Sequence, residues 1–559
     1  MEKIFKILSK EYVNINQAAF LLGSFAFLSQ LLGLLRDRSL AHFIGTTPEL
    51  DAYYAAFRIP DLIFISIASL ASITVLIPFI TAKLEDGKAS KAARKFLDDV
   101  FTVFFGVMAL VSLIAFFLMP YLVSFIAPGF TPALQIKVIE LSRIMLLSPI
   151  LLGLSNLFGS LTQLFRRFFI YALSPIFYNF GIIIGILFFY PFWGIYGVAF
   201  GVVLGALMHF LIQAFASKGS GFTPRFSFSI NFPEIKRAAF TSLPRTLGLS
   251  FNNLALILII SLASYLKSGS ISVFNLSLNL QSVPLGIIGL SYAVAAFPIL
   301  TRSYASGKLE EFKNQLSSAA RAIIFWSLPA TFLFIVLRAQ IVRVILGSGY
   351  FSWENTRLVA ASLAVFSISI MAQGLIALFA RAYYARGNTE RPLVINLLSS
   401  LSIVVFSWLF LYIFEHYLAF RYFIESILKV SDVPGTEILM LPLAYSFGTI
   451  INFLLLVWYV KKDFMQKEQF ISKTFFQSLS ASFFIGVVSY LCLNIFSPIF
   501  GLNTFWGVFL QGFISGLMGI SAGIFLLYLF DSPELKDLTK TFHTKFWRAK
   551  VIASPQEGL

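Results

Sequence analysis

Four places in this chain set charge among apolar residues. Arg36-Asp37-Arg38 closes one hydrophobic run, Arg58 and Asp61 flank Pro60 in the next, Arg245 follows Pro244 in a later run, and Arg381 lies near the end of another. A charged side chain at mid-bilayer costs about 2.5–3.5 kcal/mol on insertion scales, so such residues face a partner or a water-filled cavity. Arginine is permanently charged, and its planar fork of donors matches phosphate oxygens in bidentate fashion. Arg36, Arg58, Arg245 and Arg381 together would suit a phosphate-bearing anion. The acids are fewer and clustered: Asp37, Asp51 and Asp61 all lie in the first quarter of the chain. The later runs carry neutral polar groups instead, among them Asn252, Asn253, Asn275, Asn279, Gln281 and Asn396.

Each has a plainer reading. Arg36 and Arg38 would sit at an interface with Asp37 pairing one of them, and Arg58 would snorkel to water. Arg381 would belong with the boundary charge Arg386. Arg245 resists this reading best, since it lies two to three turns beyond Arg237. The asparagines would serve as interhelical hydrogen bonds, worth about 0.6 kcal/mol each.

Catalytic chemistry finds no footing. His42, His209, His416 and His543 are isolated, and Cys492 is the single cysteine, so neither metal-ligand spacing nor an intrachain disulfide arises. No phosphate-binding glycine loop is present, and we expect neither a cofactor nor an enzyme. Energy for transport would come from an ion or potential gradient, or from the substrate's own gradient.

The elements that must position these side chains are membrane helices. Of 559 residues, 58% are hydrophobic and only 12% charged, about half the charge of a soluble protein. Mean hydropathy is +0.84. Segmentation predicts an all-α polytopic membrane protein of about fourteen spans, near 16–35, 52–82, 98–126, 137–164, 169–191, 194–216, 236–265, 270–302, 318–346, 356–384, 391–415, 437–460, 474–497 and 504–530. Pro60 and Pro284 should kink the second and eighth. The net charge of +16 is spread over loops and forms no basic domain, which argues against nucleic acid as a partner.

Alternate loops carry the basic residues, including Lys91, Arg94 and Lys95, then Arg166 and Arg167, then Arg386 and Arg391, then Lys461 and Lys462. The intervening loops at 127–134, 191–194 and 497–503 are nearly free of them. This alternation places both termini in the cytoplasm of a cell with an inner membrane. The start lacks an apolar stretch followed by a small-residue cleavage site, so the first span is itself the expected insertion signal.

An internal repeat runs through the spans. Pro78-Phe-Ile-Thr81 with Gly87-Lys88 recurs as Pro298-Ile-Leu-Thr301 with Gly307-Lys308, and Gly129-Phe130 recurs as Gly349-Tyr350, all at an offset of 220. Pro175 and Asn179 match Pro392 and Asn396 at an offset of 217. Six spans per copy gives both halves the same topology, the parallel repeat of alternating-access transporters. The expected divisions are an amphipathic N-terminus 1–15, an N-lobe 16–217, a linker 218–235, a C-lobe 236–470, two appended spans 471–531 and a basic tail 532–559.

Leu31-Leu-Gly-Leu-Leu-Arg-Asp37, Leu50-Asp-Ala-Tyr-Tyr-Ala-Ala-Phe-Arg-Ile-Pro60 and Val283-Pro-Leu-Gly286 running on to Phe297-Pro298 resemble the MurJ/MviN family of lipid II flippases. Ala127-Pro-Gly-Phe130 and Tyr384-Ala-Arg386 with Pro392 also match. This family sits within the multidrug/oligosaccharidyl-lipid/polysaccharide exporter group, and the likeness extends over spans one to twelve in order. It implies two six-helix lobes plus two helices, and transport of undecaprenyl-pyrophosphate-linked peptidoglycan precursor from the inner to the outer leaflet through an arginine-lined cavity. Arg36, with Asp37 beside it, and Asp51 occupy functional positions of the family. Elsewhere the chain departs: Gln30 and Phe64 stand where the family has arginines and Ser69 where it has a glutamate, while Asn279 and Ser282 replace an arginine and a glutamate. Ala377 takes a lysine's place one turn before Arg381. Some family members bind sodium through acids of the second lobe, and none stands in the corresponding spans here.

The expected site is therefore Arg36, Asp37, Asp51, Arg58, Arg245, Asn279 and Arg381, with lipid II or a similar polyprenyl-pyrophosphate-linked saccharide as partner alongside membrane lipids, and no metal. Three competing readings stand beside it. They are a flippase for another polyprenyl-linked polysaccharide unit, a cation-coupled drug exporter of the same architecture, and a membrane glycosyltransferase. The last would need a carboxylate cluster in the long outer loop, which offers only Glu415, Glu425 and Asp432.

Overall fold

Long apolar segments can satisfy their backbone in lipid only as helices or as a closed barrel, and their length favours helices. The computed structural model describes residues 15–68, 80, 90–164, 167–217, 224–465, 472–501 and 504–546, and every regular element among them is helical. In chain order these are α1 (Ile15–Phe43), α2 (Pro48–Ala56), α3 (Arg58–Ile63), α4 (Lys91–Ile126), α5 (Pro132–Met145), α6 (Leu147–Leu164), α7 (Phe168–Ile184), α8 (Ile195–Ser217), α9 (Phe232–Ala263), α10 (Ser270–Pro284), α11 (Ser291–Ala305), α12 (Leu309–Val336), α13 (Arg338–Leu346), α14 (Trp353–Ser367), α15 (Ile370–Ala385), α16 (Glu390–His416), α17 (Leu418–Leu428), α18 (Met440–Phe464), α19 (Ser472–Phe496), α20 (Phe505–Leu529) and α21 (Pro533–Phe546).

Among the described residues, eleven helical stretches are long and apolar enough to cross a bilayer, and α14 with α15, counted as one bent span, makes a twelfth. The other two expected spans correspond to α1 and to the run from α2 through α3, which leads into residues 69–79 outside the described set. The expected amphipathic N-terminus, Ser69, the first repeat copy at Pro78 with Thr81 and Gly87-Lys88, Arg166 and the basic tail beyond 546 also lie outside it, as does the side chain of Arg245.

Local chemistry sets the helix ends. Thr47 accepts from the Leu50 N–H ahead of Pro48 at the first turn of α2. Ser90, Ser352 and Thr504 cap α4, α14 and α20 in the same way. The two expected kinks take a definite form. The chain breaks at Phe57 before Pro60, and α3 gives way to a π turn at Phe64–Ala68. Pro284 ends α10, and a π turn follows at Leu285–Leu290. Proline removes an N–H and crowds the carbonyl four residues back, so the ladder re-forms with wider spacing. The two π turns begin almost one repeat offset apart.

The repeat-matched glycines also share a role. A Cβ on Gly129 would come within 2.6 Å of the Tyr265 backbone nitrogen, and one on Gly349 would overlap the backbone of His42. Both turns therefore press main chain directly on main chain.

The chain folds as two compact units. The first comprises 1–283, 342–369 and 387–456, and the second 284–341, 370–386 and 457–559. In the first, α7 and α8 pack without a side-chain layer: Cβ atoms on Gly181 or Gly185 would strike the backbones of Gly205 and Gly201. The tight turn through Tyr190–Trp193 and Gly194 (φ +54°) joins this pair, and Gln213 Nε2 donates to Ser174 Oγ at 2.7 Å toward the other end. In the second unit, a Cβ on Gly289 would lie 2.6 Å from Gly374 Cα. Gln340 donates to Gln511 at 3.2 Å, and the Tyr383 hydroxyl donates to Asp463 at 2.9 Å.

Candidate functional site

The first unit gathers the charges of α1, α2 and α3 against α7 and α10. Asp37 is 1% exposed. Its Oδ1 accepts from Arg36 Nε at 3.0 Å and Nη2 at 2.8 Å, while Oδ2 accepts from Asn279 Nδ2 of α10 at 3.0 Å. Arg36 Nη1 also donates to Asn179 Oδ1 of α7 at 3.2 Å, and Asn179 Nδ2 turns to Ser29 Oγ and the Pro175 carbonyl. Arg36 is thus held in one orientation with N–H groups left over on both terminal nitrogens. Arg38 points elsewhere: its Nη1 donates to the carbonyls of Val344 at 2.7 Å and Ile345 at 3.0 Å, at the end of α13. A cation at a helix C-terminus satisfies orphan carbonyls and the negative pole of the dipole.

Asp51 does the converse. Its Oδ2 accepts from the Gly269 N–H at 2.6 Å, and its Oδ1 accepts from the Ser272 N–H at 2.7 Å and the Ser272 hydroxyl at 2.6 Å. A buried carboxylate from α2 therefore caps the first turn of α10 across more than two hundred residues of sequence. Both oxygens are fully engaged. A pocket of about 360 Å³ opens beside it, edged by Pro48, Thr131, Lys137, Ser264 and Ser268, and Lys137 pairs there with Glu49 at 2.7 Å.

Arg58 donates through Nη2 to Asn275 Oδ1, whose amide nitrogen bonds back to the Ile271 carbonyl at 2.8 Å. The Nε of Arg58 is buried with no hydrogen-bond partner, as are the Tyr54 hydroxyl and Gln281 Nε2. Tyr54 lies within electrostatic reach of Arg36, Asp37 and Arg58. Asp61 faces Arg58 electrostatically, although the Arg58 guanidinium hydrogen-bonds to α10 rather than to Asp61.

The structure thus joins Arg36, Asp37 and Asn279 in one network with Asn179, while Arg58 and Asp51 meet α10 at separate points, Asn275 and the turn from Gly269 to Ser272. The backbone of Arg245 lies in α9. Arg381 belongs to the second unit, where its Nη1 donates to the Ala377 carbonyl at 2.9 Å. Asn275 and Gln281 were visible in sequence only as neutral polar residues on the eighth span, and Asn179 only as a repeat position. Tyr54 was visible only as part of the family-like stretch from Leu50 to Pro60, with no role assigned to it. The arrangement holds two guanidinium groups, Arg36 paired with an Asp37 that Asn279 also engages and Arg58 held by the neutral Asn275, and leaves the Arg58 Nε and the Tyr54 hydroxyl buried with unused donors. Such a site suits a ligand rich in acceptor oxygens. No group of histidine, cysteine or acidic side chains among the described residues could hold a metal ion.

Comparison with known proteins gives a consistent picture. The family model described as "Lipid II flippase MurJ" matches residues 40–510. The "Probable lipid II flippase MurJ" of Rhizobium meliloti is 28% identical over 375 residues, covering 66% of this chain and 70% of that one. The "Lipid II flippase MurJ" of Burkholderia cenocepacia is 24% identical over 391 residues, covering 68% and 76%. Among solved structures, a lipid II flippase MurJ in an inward closed conformation superposes with a TM-score of 0.73 at 22% identity, over 93% of this chain and all of that one. An inward-facing multidrug MATE transporter of the MOP superfamily superposes at 0.63 with 15% identity, over 81% and 99%. These last two similarities concern the fold.

Proposed function

This chain belongs to the MurJ family of lipid II flippases, and from that premise we propose that it moves lipid II between leaflets by alternating access, with Arg36 and Arg58 engaging the pyrophosphate. It is a multi-pass membrane transporter and not an enzyme. The observation that carries the reading is the unused donor capacity at Arg58 and Tyr54: the Arg58 Nε and the Tyr54 hydroxyl, which lies within its electrostatic reach, are buried without acceptors. A buried donor left unsatisfied costs about 1–3 kcal/mol, and a pyrophosphate entering the site would relieve both costs at once. Arg245 and Arg381 would add cations as the cargo moves, within lobes 16–217 and 236–470 related by the parallel repeat. Both termini would face the cytoplasm, as the loop charges require.

One feature favours a second reading. Asn279, where the family carries an arginine, is engaged with Asp37, so the surroundings of the headgroup differ from the family pattern. A flippase for another polyprenyl-pyrophosphate-linked saccharide would use the same arginines with a different sugar.

The test is replacement of the lipid II flippase in a depleted bacterial host, with labelling of lipid II exposed on the outer leaflet. The chain should restore labelling, and Arg58→Gln and Arg36→Gln should each abolish it at unchanged membrane abundance. Failure of the parent chain, when present in the membrane, would favour the second reading. Full activity of both variants would remove the arginines from the mechanism.

A further inference from the structure

The helix α17 has its amphipathicity reversed. Leu418, Tyr422, Phe423 and Ile427 are between 58 and 62% exposed. At a helical period these four, with Ala419 and Ser426, form one continuous outward face that carries no charge. The only two charges of the helix lie on the opposite side. Glu425 is 3% exposed, and its Oε1 accepts from Arg421 Nε at 3.0 Å and from the Thr436 hydroxyl at 2.6 Å. The Arg421 guanidinium also lies over the Phe414 ring, 5.5 Å from its centroid. A helix bathed in water on its outer side would be arranged the other way round.

What meets this apolar face follows from its neighbour. On α16, Leu401, Val405, Trp408 and Tyr412 are exposed along a single stripe at intervals of three and four residues, the surface a membrane span turns to acyl chains. The stripe ends in stacked rings, Trp408 on Tyr412 and Tyr412 on His416, where Trp and Tyr collect at a membrane–water boundary. The chain passes through the single extended residue Tyr417 and enters α17 directly, so the lipid-facing surface continues from one helix onto the next. With 11 residues, α17 extends about 16 Å at 1.5 Å per residue, far short of the roughly 30 Å hydrocarbon core.

We infer that α17 lies in the plane of the membrane interface, with Leu418, Tyr422, Phe423 and Ile427 immersed among the headgroup-proximal acyl chains of the leaflet that the loop charges assign as outer. Its inner face is fastened to the body of the first unit by Glu425, and by Arg357 of α14, which donates to the Lys429 carbonyl at 2.6 Å just beyond the helix. The partner is thus a lipid surface. A water-exposed loop has no use for such a face, and a protein partner would not need it to continue the stripe of a membrane span.

The test uses the full chain carrying Cys492→Ala, reconstituted into phospholipid vesicles, with single nitroxide labels read by oxygen and nickel-chelate collision rates. Labels at Phe423→Cys and Ile427→Cys should collide with oxygen and be shielded from the chelate, as at Val405→Cys in the lipid-facing stripe. A label at Ser431→Cys, in the following turn, should show the opposite. Leu418→Cys and Tyr422→Cys report on the same face if either first variant fails to fold. Chelate accessibility at 423 and 427 equal to that at 431 would overturn the inference by placing the face in water. Shielding from both reagents would overturn it by showing the face covered by protein, in this reconstitution a second copy of the chain.

Discussion

In the unit that contains Arg36, charged side chains are held by partners far away in sequence: Asp37 by Asn279, Arg36 by Asn179, Arg58 by Asn275, and Asp51 by the turn ahead of α10. In the unit that contains Arg381, the interior contacts are neutral or made of backbone. Gly289 meets Gly374, Gln340 meets Gln511, and Arg381 reaches the carbonyl one turn back in its own helix. The carboxylates that make polar contacts in that unit include Glu310 and Glu311 in the first turn of α12, Asp463 in the last turn of α18, and Asp531 and Glu534 at the start of α21, all at helix ends. The difference separates two ways of living in a membrane. Charge can be kept inside if each charged group is given polar partners in advance, and helices can otherwise be joined by removing side chains until backbones touch. The charge network of the first unit should therefore be sensitive to changes of charge, and the Gly289–Gly374 contact of the second, like the α7–α8 contact of the first, to changes of volume.

The largest effect should come from Asp37→Ala, which strands the Arg36 guanidinium without its carboxylate. Breaking a buried pair in this way costs about 3–5 kcal/mol, and it should appear as a marked loss of thermal stability in detergent. Arg381→Ala should cost about 1 kcal/mol or less by the same measurement, the typical worth of one hydrogen bond. Equal losses would erase the contrast.

Next come the volume changes. Gly289→Leu forces side-chain atoms into Gly374 and should destabilise by about 1–3 kcal/mol, whereas Gly307→Leu, beside open space, carries only the strain of its positive φ. A similar loss is expected from Asp51→Ala, which leaves the Gly269 and Ser272 amides without an acceptor at about 1–3 kcal/mol. Amide hydrogen exchange at those two residues should speed up, and unchanged exchange would refute the cross-chain cap.

The smallest effect belongs to a pair between the first turns of α14 and the outer loop. Arg357 Nη1 donates to Asp432 Oδ2 at 2.7 Å, and this hydrogen bond holds the Asp432 carboxyl below the ordinary carboxylate range. A depressed folded value means that the contribution is fully present above the unfolded pKa and is lost as pH falls through the folded one. Asp432→Asn should leave stability at pH 7 almost unchanged and flatten its decline on acidification. A large effect at neutral pH would show that this outer pair matters as much as the buried ones.

The fold class was legible because a bilayer admits so few solutions. Long apolar runs dictated helices, and Pro60 and Pro284 marked the two interruptions. The form those interruptions took, a π turn downstream of each proline, was not legible, since it depends on how the ladder closes around a missing donor. Within the site, Arg36 beside Asp37 could be read as a pair because the residues are adjacent. Asp51 could be read as functional but not as a cap, because its two amide partners lie more than two hundred residues away and offer only backbone. Asn275 and Asn279 stood out as polar residues four apart on one span, yet which charge each would meet was a matter of packing. Tyr54 stood within the family-like stretch from Leu50 to Pro60, but its role did not show, because a tyrosine in an aromatic-rich membrane chain looks like every other.

The glycine contact between α7 and α8 has a mechanical consequence. Two helices touching backbone to backbone behave as a single strut, with no compressible layer between them to absorb a load. Yet the glycines that bring them together recur every fourth residue, at 181 and 185 on one helix and at 197, 201 and 205 on the other. A rail with identical notches at each turn fixes spacing without fixing register. Among the described hydrogen bonds and turns, register is pinned at the ends, by the tight turn at Gly194 and by the bolt that Gln213 makes with Ser174. The pair is thus stiff in bending and keyed at two points, so a Gln213→Leu chain would keep its strut while losing one of the two pins that stop it from sliding.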